Sequence, residues 1–386
     1  MVTDVVFVGG GVIGLAGARA AAARGLSAVV VDPAPGRGAS WVAAGLLAPV
    51  SELSFGERHL AELLLAGAAR WGTFAGELEE ETGTAVGYRR CGALAVGLDG
   101  SDRAVIDDLL PLYRSLGLPA DRLAASECRD LVPALSPEVR GGGHLPGDHQ
   151  VDNRALVDAL LAACRRAGVV VRSETVATVE IDRGAGAGAV RGVRLLGGER
   201  LAASTVVLSA GCRTACLGGV PPGTVPPVRP VKGHVLRLRG AGRAALFGPS
   251  VRGVVHGRPC YLVARGDGSL VIGATTEERG FDTTVQAGAV HDLLSDARAL
   301  VPLVDELELV EAIAGLRPAS PDNGPFIGWT RVRGLAVASG HYRNGVLLTP
   351  VTADAIGALL VGEPVPEAVR RFDVRRAERA GWIDAG

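Results

Sequence analysis

The opening of the chain constrains its fold more than any other segment. Val5 to Val8 is a β-branched and aromatic run, Gly9, Gly11 and Gly14 follow at the G-x-G-x-x-G spacing, and Leu15 to Arg24 is an alanine-rich helix pattern closed by Gly25. A second strand pattern, Ala28 to Val31, ends at Asp32. Strand, tight turn, helix and strand in that order predict a dinucleotide-binding β-α-β unit. The first glycine permits the turn and the second lets backbone N–H groups approach a pyrophosphate. The third lets helix and strand pack closely, leaving the anion on the helix N-terminus. Asp32 is placed to accept from a ribose hydroxyl, and its charge would repel a 2′-phosphate, which disfavours NADP.

At about 150 residues per domain, a chain of 386 residues predicts two or three domains. The net charge of −1 gives no pull toward nucleic acid or an anionic membrane. Asp4 stands where an export signal would carry a basic residue, and glycines, Arg19 and Arg24 break the apolar stretch, so neither secretion nor a membrane span is expected. The six cysteines, at 91, 128, 164, 212, 216 and 260, show no C-x-x-C pair and no histidine at zinc spacing. They read as reduced core residues of a cytoplasmic protein with no metal site. Lys232 is the only lysine among 40 basic residues, which a GC-rich coding bias explains.

The nucleotide domain reads as discontinuous. Glu57 to Thr82 has a helical apolar stripe through Leu60, Leu63, Leu64, Trp71, Phe74 and Leu78 and ends at Gly83, so an insertion begins near residue 50. The nucleotide domain returns near Val151, with a helix capped by Asp152 or Asn153 and ended by Gly168, a strand at Val169 to Val171, a flexible loop at Gly184 to Gly188, and a strand at Thr205 to Leu208. Pro221, Pro222, Pro226, Pro227 and Pro230 predict a linker back into the second domain. Strands near Gly233 to Leu238, Pro259 to Ala264 and Leu270 to Gly273 and a helix near Val285 to Leu300 follow. The last return is a strand at Gly334 to Ser339, a turn at Gly340 to Arg343, and a helix from Asn344 to Leu360 closed by Gly362. Its N-terminus would carry about half a positive charge, suited to the anion formed when a redox ring is reduced. The chain offers no G-x-S-x-G elbow, Walker loop or metal box, so no protein acid or base is assigned.

The segments Ser40 to Pro49 (SWVAAGLLAP), Pro230 to Gly233 (PVKG), Gly315 to Pro318 (GLRP) and His341 to Gly345 (HYRNG) occur in an order that resembles the D-amino-acid-oxidase group of flavoenzymes, and within it the glycine-oxidase branch of thiamine synthesis. The resemblance runs across nearly the whole chain. It implies an α/β fold, α+β in the second domain: a Rossmann-like FAD-binding domain (1–50, 151–220 and 320–386) interleaved with an antiparallel-sheet substrate domain (51–150 and 221–319). With the glycine turn at Gly9, Gly11 and Gly14, it implies FAD contacts at Val12, Ile13, Asp32, Pro33, Ala39, Ser40, Ala44, Gly45, Leu46, Val176, His341, Tyr342, Asn344, Gly345, Val346 and Leu347. Gly315 stands where covalent relatives carry a cysteine, so non-covalent FAD is expected.

For substrate, the resemblance implies Arg317 and Arg343, with Tyr261 on the pocket wall. A guanidinium fork matches a small amino acid's carboxylate and can orient its α-carbon toward the flavin. The implied reaction is oxidation of glycine to an imine, with oxygen as acceptor yielding hydrogen peroxide, and hydrolysis to glyoxylate and ammonia. Thiazole synthase is an expected partner, and a homo-oligomer is expected. Leu46, where the group usually has methionine, and Pro259, where an aromatic or imidazole partner stands beside the tyrosine, leave sarcosine, a D-amino acid or another small amine open as substrate. Two other classes remain open: an NAD-dependent dehydrogenase, which gives no role to GLRP and HYRNG, and a flavin-binding module without catalysis.

Overall fold

A computed structural model describes residues 3–182, 188–240 and 248–383; part of the Gly184 to Gly188 loop lies outside them. Two eight-stranded sheets form the body. In the first, Thr3–Val8 sits centrally between Ala28–Val31 and Arg200–Leu208, parallel to both. Leu335–Ser339 continues the parallel order beyond Arg200–Leu208, and Phe326–Trp329 closes that edge antiparallel. Val5, Val6 and Phe7 are almost fully covered because helices pack one face of the sheet and an apolar cluster the other, which is why the run is continuously apolar rather than alternating. The helices Val12–Ala22, Asn153–Arg166 and Thr349–Val361 form the first layer. Asp152 caps the middle one, its carboxylate accepting from the N–H groups of Arg154 and Ala155.

The second sheet runs, edge to edge, through Glu308–Ala319, Arg229–Arg239, Ser269–Gly273, Arg258–Ala264, Ser250–Val255, Ala93–Gly97, Gly141–Leu145 and Asp121–Leu123. Only the Ser250–Val255 and Ala93–Gly97 pair is parallel. One face packs Leu236, Leu262, Leu270 and Ile272 against Leu293, Ala297 and Leu300 of the helix Ala287–Leu300. The other face carries Val235, Val263 and Val271 against Val42 and Ala44 of the first lobe.

Several elements depart from expectation. Pro230 lies inside Arg229–Arg239 rather than in a linker, opposite Pro318. The strand accepts it because its pairing with Ser269–Gly273 begins only at Val235, so no ladder partner asks for the missing N–H. The strand Gly141–Leu145 was hidden by its three glycines; a Cβ on Gly143 would come within 2.7 Å of the Leu110 side chain. The helix expected from Asn344 begins formally at Thr349, after a short 3-10 turn at Tyr342–Asn344. The helix expected from Glu57 is a 3-10 turn, Arg58–Leu60, followed by Ala61–Thr82. Four cysteines are buried as core residues, but Cys91 is half-buried and Cys216 exposed, and none is in a disulfide.

Candidate active site

The glycine turn is shaped by contacts that tolerate no side chain. Gly9 takes φ 113°, and a Cβ on Gly14 would overlap the Gly9 carbonyl and reach 2.6 Å from the Ser209 Oγ. Ser209 follows Arg200–Leu208, so the strand beside Thr3–Val8 buttresses the turn. Gly11 occupies the helix N-cap with no side-chain acceptor, which leaves first-turn donors for a ligand. The Val12 N–H donates to the Ser40 Oγ at 3.0 Å. The Asp32 Oδ2 accepts from the Gly10 N–H at 2.8 Å and Oδ1 from the Ala34 N–H at 2.8 Å. The carboxylate thus braces the turn as well as standing at the strand end, and each oxygen keeps a lone pair for a hydroxyl.

Around it, Ala39 and Ser40 belong to the helix Ala39–Val42, Pro33 is exposed on the strand exit, and Val176 packs with Val8, Val31 and Leu208. Ile13 is half-buried on the first helical turn. Gly45, with φ 73°, is held by Arg265, whose buried guanidinium donates to the carbonyls of Ala44 and Val151. Leu46 pairs with Gln150 and packs against the same apolar cluster as Tyr261, linking the first lobe to the second sheet.

The 341–347 segment meets the same place from the chain's other end. His341 bridges to Ala319, two residues past Arg317, so HYRNG and GLRP are in direct contact. Burial pushes the His341 imidazole down to about 3, so it is neutral near pH 7, and its Nε2 lies 3.1 Å from the Thr352 Oγ1. Tyr342 adopts φ 49°, a strained value for a side-chain residue, and the Asn344 Oδ1 is buried with no partner among the described residues. Gly345, Val346 and Leu347 continue the turn toward Thr349–Val361, with the Leu347 carbonyl receiving the Trp71 Nε1–H at 2.8 Å.

Register explains the glycines of PVKG and GLRP. Gly233 faces Gly315 across the two strands, and Arg317 faces Val231 one step on. The Arg317 guanidinium lies directly over the bare Gly233 backbone, where a Cβ would be 2.6 Å from Cζ. Its Nη1 donates to the Thr275 carbonyl at 3.1 Å and the Lys232 carbonyl at 3.4 Å. Among the described residues these are its hydrogen bonds, which leaves Nη2 and Nε for an incoming carboxylate. Gly315 abuts Val42, so that position is filled by apolar packing.

Tyr261 shares this face. It stands opposite Arg252 on one side and Gly273 on the other, and its ring and hydroxyl lie over Gly273. Burial raises its phenol above the usual value, so the hydroxyl stays a donor.

Arg343 is placed differently from Arg317. Its Nε is 3.3 Å from the Glu52 Oε2, while the Arg252 Nη1 is 2.7 Å from Oε1 of the same carboxylate. Burial alone would raise the Glu52 carboxyl, but Arg252, Arg343 and Arg317 together hold it below its usual value. Even with Asp148 as a second carboxyl beside Arg252, three guanidinium groups leave surplus positive charge on this face. Glu52 and Arg252 were missed in the sequence. Glu52 carried one faint signal, as the only acid between Asp32 and Glu57; Arg252 carried none, because its role depends on standing opposite Tyr261. Two open surface clefts of about 360 Å³ and 530 Å³, one lined by Gly328, Val369 and Asp373 and the other by Arg24, Arg70 and Glu77, lie outside this site.

The residues present fit a flavin dinucleotide. The glycine cradle would be filled by any Cβ, the N-cap Gly11 offers no side-chain cap, and Asn344 presents an orphaned acceptor in the 341–347 turn among the described residues. Comparison with known proteins agrees. The chain is 35% identical over 378 residues to the glycine oxidase of Geobacillus kaustophilus, covering 96% of this chain and 95% of that protein. It is 31% identical over 379 residues to the bifunctional protein ThiO/ThiG of a Nostoc species, covering 98% of this chain but spanning only 56% of that longer protein. The crystal structure of glycine oxidase from Geobacillus kaustophilus superposes with a TM-score of 0.88 at 32% identity, over 97% of this chain and 98% of that one. Residues 4–359 match the FAD dependent oxidoreductase model, and the chain belongs to that family.

Proposed function

We propose that the chain oxidises glycine, or an amine of similar size bearing a carboxylate, to an imine with oxygen as the final acceptor. The observation that carries this reading is the Arg317 guanidinium lying flat on Gly233 with Nη2 and Nε uncommitted, beside Tyr261 and on the sheet face turned toward Ala44 and Leu46. The carboxylate would sit on the Arg317 fork, with the Tyr261 hydroxyl as a second donor. Leu46, Tyr261 and Ile313 form an apolar wall that excludes water and bulk from the α-carbon. FAD, when bound, would supply the two-electron acceptor, and oxygen would reoxidise it, itself becoming hydrogen peroxide. Arg343 acts here as an anchor rather than a direct clamp: paired with Glu52, it ties the 341–347 turn to the second sheet through Arg252. The FAD contacts expected from Gly9 to Leu347, non-covalent attachment beside the Val42-filled Gly315, and the division into two interleaved domains are parts of the same proposal.

Relatives that join ThiO to ThiG in one chain support a setting in thiamine synthesis, in which the product passes to a thiazole synthase. Among the described residues no helix is long and apolar enough to cross a membrane. Anaerobic addition of glycine to the yellow holoenzyme should bleach the flavin band, and glyoxylate, ammonia and peroxide should appear once air is admitted. A flavin that glycine leaves oxidised, but that sarcosine or a D-amino acid bleaches, would move the substrate and keep the site.

A further inference from the structure

Thirty-nine of the 40 basic residues are arginine, and composition explains why lysine is rare. Composition does not explain where the one lysine stands. Lys232 is fully buried, and its Nζ meets three acceptors: the Asp282 carboxylate at 2.6 Å, the Thr284 carbonyl at 2.5 Å and the Gln286 Oε1 at 2.9 Å. A compact ammonium with three donors matches that set; a planar guanidinium, longer and forked, does not.

All three acceptors lie on the segment 274–286, which has no helix or strand of its own and joins Ser269–Gly273 to Ala287–Leu300. An irregular stretch of that length needs anchors for its backbone. Lys232 supplies them from beneath: its own N–H and carbonyl pair with Glu277 at 2.9 Å and 3.0 Å. Its neighbour His234, also fully buried, completes the hold, with Nδ1 2.8 Å from the Thr275 Oγ1. The far side is pinned by Arg213 of the first lobe, stacked 4.8 Å from the Phe281 ring. The two carbonyls that receive the Arg317 Nη1 belong to Thr275, at the start of this segment, and to Lys232 itself.

We propose that Lys232 is a positioning residue for the substrate clamp: by fixing the 274–286 segment it sets the Thr275 carbonyl, which together with its own carbonyl aims Arg317. The inference rests on Arg317 binding the substrate carboxylate. Lys232 does not touch substrate, so its loss should change carboxylate affinity far more than the chemical step.

The test uses holoenzyme of wild type, Lys232→Met, Lys232→Arg and Arg317→Ala, and the Lys232→Met/Arg317→Ala double variant. Acetate, a carboxylate lacking the reacting amine, serves as the binding probe, read by its perturbation of the flavin spectrum. Lys232→Met should raise the acetate Kd and the glycine KM together by about tenfold while kcat changes about twofold or less, and Lys232→Arg should not rescue it. In the Arg317→Ala background the lysine substitution should add little, because the group it positions is gone. If Lys232→Met does not fold, Asp282→Asn and Gln286→Ala should each show the same rise at smaller size. Unchanged acetate Kd in every folded variant, or an effect of Lys232→Met that persists in full without Arg317, would overturn the inference. An Arg317→Ala enzyme that binds acetate normally would instead overturn the reading of the clamp itself.

Discussion

The glycine turn at residues 9–14 and the arginine-bearing face of the second sheet are built by opposite means. The turn is made of backbone: Gly9, Gly11 and Gly14 matter for what they lack, because the Gly9 carbonyl, Ser40 and the Ser209–Ala210 backbone stand where side chains would be. The sheet face is made of side chains brought together from residues 52, 252, 261, 317 and 343 by cross-strand register and by the HYRNG turn. Damage to the turn should therefore remove the cofactor and some of the fold, whereas damage to the face should spare the cofactor and alter what is bound beside it.

The largest effect should come from Gly14→Ala, which drives a methyl group into the Gly9 carbonyl. Overpacking of this kind costs about 1–3 kcal/mol or more, and here it also reshapes the anion cradle, so FAD per protein, read by absorbance, should fall sharply along with Tm. Retention of full FAD would mean the turn is not the cradle. Next, Arg317→Ala should lower kcat/KM for glycine by on the order of 2–4 kcal/mol with FAD content unchanged, through loss of a charge-assisted pair. Normal turnover by that variant would dissolve the contrast between the two regions.

Glu52→Gln sharpens the comparison, because it breaks the ion-paired hub that joins Arg343 of the HYRNG turn to Arg252 within the sheet face. Removing one partner of a largely buried set should destabilise by on the order of 2–3 kcal/mol and weaken glycine binding, checked by denaturant melts and by KM. A pH series probes the same corner more gently. Burial pushes the Asp148 carboxyl up to about 6 despite bonds from Ser51 and Val50. A folded value above the unfolded one gives stability that is complete below about pH 4 and lost as pH rises through about 6. The Tm of Asp148→Asn relative to wild type should therefore rise across that window and level off above it. The smallest effect belongs to Tyr261→Phe, about 1 kcal/mol in glycine KM for one hydroxyl, with kcat nearly unchanged.

Legibility in the sequence followed the same division. The first β-α-β unit, the helix capped by Asp152 and the strand Leu335–Ser339 could be read because local pattern and local chemistry agree there. Gly141–Leu145 could not, because three glycines look like a loop until the close approach of Ala93–Gly97 and Leu110 is known. Pro230 looked like a linker because its one-sided pairing is a property of neighbours, not of its own segment. Arg317 and Tyr261 were found through resemblance, while Glu52 gave only a faint signal and Arg252 none, because an ion pair depends on partners, not on spacing.

By itself the sequence determined the dinucleotide-type opening, the alternation between two lobes and the residue types available for a carboxylate. A glycine spacing and an apolar period act within a dozen residues, so they survive without any coordinates. Only the tertiary structure decided that Arg317 lies on Gly233 while the Arg343 Nε faces Glu52, and that the lone lysine sits beneath the 274–286 segment instead of in water. Identical side chains take different roles there because register and burial, which the linear order does not carry, choose what each can reach.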